Sequence, residues 1–145
     1  PDINSTVNGN NLLVSSPGGV GAAHVENIPM ECRVTLEIEP QGATEEYGLY
    51  LRSDEKAAGG YRLNFSANNH MVSLGNTNIK AVDGLDKTIK VDIILNNDII
   101  DVCIDNRRCI VNRTPEQKGG FLWFYAKHGQ VKFKSIKISP LVKNN

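Results

Sequence analysis

The chain has 145 residues, 40% of them hydrophobic, which is enough for one globular domain with a core of its own. Its 16 Lys and Arg balance 16 Asp and Glu, so the sequence carries neither the basic footprint of a nucleic-acid binder nor an acidic tail. No apolar run approaches the length of a membrane span, and neither nucleic acid nor a bilayer is expected as a partner.

The first residues lack the charged-then-apolar pattern of a secretory signal, and 1-PDINSTVNGN-10 reads as a polar lead-in to a domain cut from a longer chain. The expected division is a linker-like segment over 1–9, a domain over 10–141 and a tail over 142–145. A monomer is the default expectation. Along the domain, short alternating runs fall at 11–16, 21–26, 31–39, 47–53, 60–66, 70–75, 88–95, 99–105, 109–113, 121–127 and 130–139. Gly, Asn and Asp clusters separate them, which is the pattern of an antiparallel β-protein. The turns 67-ANN-69, 96-NND-98 and 105-DNR-107 supply residues that tolerate left-handed backbone. The stretch 80-KAVDGLDK-87 can form at most one helical turn, because Gly84 sits in its middle.

Parity within each run assigns its dry face. Cys32, Val34, Leu36 and Ile38 go inward from 31–39, Leu49 and Leu51 from 47–53, Tyr61, Leu63 and Phe65 from 60–66, and Ile100, Val102 and Ile104 from 99–105. Gly48, Tyr50, Arg52, Arg62, Asn64, Asp101, Cys103 and Asp105 then face outward. In 121-FLWFYAK-127 the set Leu122, Phe124 and Ala126 makes the better core, which sends Trp123 and Tyr125 outside. Runs with one apolar face each must cover one another as two sheets, so the fold class is an all-β antiparallel sandwich, with closure into a barrel as the alternative.

Catalytic constellations are thin. The sequence has no H-E-x-x-H, G-x-S-x-G, glycine-rich phosphate loop or D-x-D-x-D-G calcium loop, and His24, His70 and His128 lie far apart. A structural calcium ion could be held by loop carbonyls with Asp83 or Asp86. Of the cysteines, Cys32 and Cys109 fall on apolar-parity positions and read as small core residues. Cys103 and Cys109 flank the turn 104-IDNRR-108 and could face each other across a hairpin, so a disulfide there stays open.

The outward set suits a sugar better than a reaction. A sugar ring offers an apolar face and a fringe of hydroxyls, which call for a planar aromatic surface beside rigid polar groups. Trp123, Tyr125 and Tyr50 supply planes, and Arg52, Arg62, Asn64, Asp101 and Asp105 supply hydrogen bonds. The competing expectation is that the aromatic residues pack under a loop and the charges are solvated cross-strand partners.

The succession 31-ECRVTLEIEP-40, 47-YGLYLRSDE-55, 60-GYRLNFS-66, 90-KVDIILNNDIIDVCIDNRRCIVNR-113 and 119-GGFLWFYAKHGQVKFKSIKISPL-141 resembles the lamin G/concanavalin A-like jelly roll. It is most similar to carbohydrate-binding module family 66, the C-terminal modules of secreted bacterial exo-levanases of glycoside hydrolase family 32. The resemblance covers residues 10 to 141. It implies a secreted, non-catalytic module that captures the terminal fructose of levan, inulin and related fructans and tethers an attached catalytic domain. It also implies ligand-binding roles for Tyr50, Arg52, Trp123 and Tyr125, to which parity adds Glu46, Arg62, Asn64 and Asp105. The alternatives are a structural sandwich that places Trp123 at a domain interface, and a small jelly-roll enzyme using 37-EIE-39 with Asp101.

Overall fold

A computed structural model describes residues 5–8, 10–57, 59–113 and 118–141. They form eleven strands: β1 (Ser5–Asn8), β2 (Asn11–Val25), β3 (Cys32–Gln41), β4 (Glu46–Ser53), β5 (Tyr61–Ser66), β6 (Met71–Leu74), β7 (Thr77–Ile79), β8 (Ile89–Asn96), β9 (Ile99–Ile104), β10 (Arg108–Arg113) and β11 (Phe121–Pro140). All pairings are antiparallel, as alternation and short turns dictate.

Two strands that the sequence presents as four separate runs are long and bent. β11 pairs β4 with residues 121–127 and β3 with residues 130–140, and β2 pairs with it from Leu122 to Phe133. The bend falls where His128 takes φ 49° and the β2 register jumps from Val20 to Ser16. Gly129 permits it: a Cβ there would lie 2.6 Å from the Thr44 Cα, and Thr44 Oγ1 accepts from the Gln130 amide at 3.2 Å. One sheet therefore runs β7-β6-β5-β4, the first half of β11 and the second half of β2. The other runs β10-β9-β8-β3, the second half of β11, the first half of β2 and β1. Residues 5–8, within the stretch read as linker-like, pair with β2 in this second sheet.

The two sheets enclose one core. Cys32, Val34, Leu36 and Ile38, then Leu49, Leu51, Leu63 and Phe65, then Ile100, Val102, Ile104, Leu122, Phe124 and Ala126 are all buried in it, as parity predicts. Each large apolar side chain so buried contributes roughly 1.5–3 kcal/mol. Tyr47 lies in the same core, stacks on Phe65 at 5.1 Å and donates its hydroxyl to Leu85 O at 2.6 Å. The open side is latched by Asn112, whose amide donates to Leu74 O and Thr77 Oγ1, each at 2.9 Å.

One cysteine expectation is corrected. Cys109 is exposed rather than core, because it stands opposite Cys103 across β9 and β10 with Cα atoms 4.1 Å apart, and the two form a disulfide. Cys32 is buried and free.

Candidate functional site

The outer face of the first sheet is assembled from β2, β11 and the consecutive strands β4 to β7, which the chain order keeps apart from β11. Cross-strand register places Ala22, Tyr125, Gly48, Asn64, Ser73 and Asn78 in one row, and His24, Trp123, Tyr50 and Arg62 in the next. Glu46 follows opposite Lys127. Six of the eight sequence-predicted residues thus share this face: Glu46, Tyr50, Arg62, Asn64, Trp123 and Tyr125.

Gly48 decides the geometry. A glycine inside a strand marks a close approach of some other group, and here that group is the Tyr125 ring, which crosses over β4 to reach β5. A Cβ at position 48 would overlap Leu63 O and lie 2.8 Å from the Tyr125 hydroxyl. That hydroxyl donates to Asn64 Oδ1 at 2.5 Å and accepts from Arg62 Nε at 3.0 Å. Arg62 Nη2 donates to Asn64 Oδ1 and to Glu46 Oε2, both at 3.0 Å. Burial pushes the Tyr125 phenol well above its usual range, against the opposing pull of Arg62. For Arg62, burial acts downward, but Tyr125, Tyr50 and Glu46 outweigh it and the net shift is upward. The result is a guanidinium and a carboxylate locked in place, with side chains 44% and 23% exposed, beside the partly open ring of Tyr50. Tyr50 packs on Tyr125 with centroids 5.2 Å apart.

Four expectations change. Trp123 and Tyr125 do point away from the main core, but they are 5% and 2% exposed, in a small cluster of their own with Ala22. Trp123 is covered by the connection after β4: its indole Nε1 donates to Asp54 O at 2.8 Å and Ala57 packs on the cluster. The indole anchors that connection, so the packing alternative describes it. Arg52 is not outward. β4 holds two residues, Leu51 and Arg52, opposite the single Leu122 of β11, and Arg52 takes φ 53° in this bulge. Its buried guanidinium turns to the end of the sandwich and donates to Met30 O at 2.7 Å. Burial lowers its pKa, opposed by Cys32, Glu31 and Asp98. Asp105 belongs to the other sheet, where it accepts from the Lys90 amide at 2.8 Å and fixes the β9–β10 turn.

Sequence reasoning missed His24. Its ring lies 4.5 Å from Trp123 and 5.3 Å from Phe121, and it bonds Glu26 at 3.2 Å, because β2 pairs with β11 across most of the chain. It also missed Ser73 and Asn78, which extend the polar row to the sheet edge. Asp83 faces His70 at 3.5 Å, and among the described residues no group of three His, Cys, Asp or Glu side chains could hold a metal ion. Glu37, Glu39 and Asp101, the carboxylates an enzyme would have used, stand on the opposite sheet from the aromatic face, and Glu39 pairs with Lys134 at 3.6 Å.

The sheets, their order and the bent strands define an antiparallel β-sandwich of the jelly-roll kind. Its fold matches carbohydrate-binding module 66 from Bacillus subtilis with a TM-score of 0.76 over 95% of this chain and 92% of that one, at 15% identity. An exo-inulinase from Aspergillus awamori matches at 0.69 and 9% identity over 90% of this chain, which spans 28% of the enzyme's length. Chicken galectin 2 matches at 0.61 and 11% identity, over 80% of this chain and 97% of that one. No family model and no curated protein sequence matches the chain.

Proposed function

We propose that this domain is a non-catalytic carbohydrate-binding module that captures the terminal fructose of levan and related fructans and holds an attached fructan hydrolase on its substrate. The observation that carries the reading is the locked Glu46–Arg62–Asn64–Tyr125 network beside the Tyr50 ring. Arg62 has donors to offer a sugar hydroxyl and Glu46 has acceptors, and both are held in position before ligand arrives, so little side-chain entropy is lost on binding. Tyr50 supplies the apolar plane for the ring face, in place of the covered Trp123. The fold likeness to a carbohydrate-binding module and to an exo-inulinase supports the sugar class and the tether. The Cys103–Cys109 disulfide supports an extracellular setting. Trp123, tied down by its own chain, is not free to serve as the interface residue that a purely structural module would need.

One sugar residue buries little area, so each site binds with a Kd on the order of micromolar to millimolar, and tethering supplies the rest as effective concentration. Calorimetric titration of the domain with levan, inulin and a β-glucan tests this. Saturable fructan binding that Arg62→Ala and Tyr50→Ala each weaken about tenfold is the expected result. Equal binding to all three polymers would remove the fructan assignment, and binding untouched by either variant would remove the site.

A further inference from the structure

The back of the sandwich carries a cleft of about 280 Å³ on the outer face of the other sheet. One edge of it meets a distortion in β11. Lys134 pairs with Glu37 and Lys137 with Thr35, so two residues of β11, Ser135 and Ile136, stand against the single Leu36 of β3. Ser135 takes φ 53° and its amide is drawn aside to Asn11 Oδ1 at 3.0 Å, while the Ile136 amide bonds Asn10 O at 2.9 Å. A non-glycine residue held in the left-handed region costs free energy, and bulges of this kind commonly re-aim a side chain at a site. Here the bulge lies at the β11 edge of the cleft, and Ser135 lines it.

The lining is mixed in a particular way. Arg33 grips Asp92 through two bonds, Nε to Oδ1 at 2.9 Å and Nη2 to Oδ2 at 2.6 Å, which fixes both groups. Glu37 and Lys90 add one charge of each sign, and Thr35 and Ser135 offer groups that both donate and accept. The opposite wall includes Cys103, which its bond to Cys109 holds in place. Two cations and two anions in one small cleft favour neither an anionic nor a cationic ligand. They suit a neutral molecule whose every polar group can donate and accept, which is the chemistry of a polyol. The volume lies just below the range of drug-sized ligand sites, on the scale of a single sugar residue.

We propose that this cleft, walled by Arg33–Asp92, Glu37, Lys90, Thr35 and the Ser135 bulge, is a second sugar site that takes one residue of a neutral saccharide. It is independent of the first face, lying on the other sheet. Two sites back to back let one domain hold two strands of a polymer, so avidity for polymer exceeds affinity for a monosaccharide without any new contact.

The test is amide-resolved NMR titration of the whole domain with methyl β-D-fructofuranoside and, separately, methyl β-D-glucopyranoside. Saturable shifts at the amides of Thr35, Glu37, Asp92 and Ser135 are expected with at least one probe. They should persist in Arg62→Ala, which disables the first face. They should weaken about tenfold in Glu37→Gln, which leaves the Arg33–Asp92 pair intact, and in Asp92→Asn. Absence of saturable shifts at these amides with both probes overturns the second site, whether or not the first face responds. Shifts that vanish in Arg62→Ala also overturn it, since they would report the first face alone. In the wild-type domain, absence of first-face shifts with these four present would instead count against the fructan proposal only.

Discussion

Tyr125→Phe removes one oxygen whose surroundings are fully specified. The ring stays packed on Ala22 and Trp123, so no cavity opens. Asn64 Oδ1 loses the phenol but keeps Arg62 Nη2 at 3.0 Å, and is not orphaned. Arg62 Nε loses an acceptor at 3.0 Å, yet with its side chain 44% exposed water replaces most of that bond. What remains is one buried hydrogen bond, worth about 1 kcal/mol, with the charged donor setting a ceiling of about 3 kcal/mol. In a domain of this size about 1 kcal/mol lowers Tm by roughly 2–4 °C. Urea unfolding should show a lower midpoint with an unchanged slope, since compactness is unaffected. Fructan affinity should fall together with stability, because Arg62 loses one of its three anchors. An unchanged midpoint would mean that the phenol does not hold Arg62. A loss above about 4 kcal/mol would mean that the ring itself had been displaced, and either result refutes the account of the face as a rigid network.

Gly48→Ala should be worse, by roughly 2–3 kcal/mol, because the added methyl meets Leu63 O, a backbone atom that cannot step aside, and the Tyr125 hydroxyl; urea midpoints measure it. Cys109→Ser opens a loop of sequence separation 6 and should cost about 2 kcal/mol on the chain-entropy estimate. Wild type should lose the same amount under reductant, to which the variant is insensitive. Alkaline pH supplies a fourth check. Tyr47 and Tyr125 are buried, and desolvation raises both phenol pKa values above the unfolded value near 10. Above about pH 10 the unfolded chain releases these protons while the folded chain retains them, so stability is full below that pH and falls as pH rises, by about 1 kcal/mol per pH unit for each tyrosine. Tyrosinate absorbance that appears only together with unfolding would fit this; ionisation of all four tyrosines in the intact fold would refute it.

Parity was sufficient on most strands with one wet face, though not on β10, where Ile110 and not Cys109 is the buried residue. It placed Cys32 to Ile38 and the Leu122, Phe124 and Ala126 set correctly because a two-residue period follows from backbone geometry alone. It failed at Arg52 because a bulge shifts the count by one, and an arginine in the left-handed region leaves no mark in the sequence. Trp123 was misjudged for a different reason: the chain after β4 that covers it has no periodicity to read. Gly48 was legible in principle. A glycine on the outward parity of an otherwise apolar strand signals that something lies across it, and the only candidates large enough are the aromatic residues. Asp105 and Arg62 look alike by parity, and only the register of β8 and β9 against β4 and β5 separates them onto different sheets.

The bent strands bear on how the chain reaches this state. β11 is the last strand, yet it is the neighbour of β4 on one sheet, the neighbour of β3 on the other, and the partner of β2 from Leu122 to Phe133. Until it is in place, the hairpins β4–β5 and β8–β9 belong to separate half-sheets that share no strand pairing and meet at their far edges through the Asn112 latch. Closing loops of nearly the full domain length precedes any reward from the contacts made, which puts folding on the order of milliseconds to seconds. During synthesis the nascent chain would expose unpaired strand edges until residue 140 has left the ribosome, so this domain completes its structure at the end of its own translation rather than progressively.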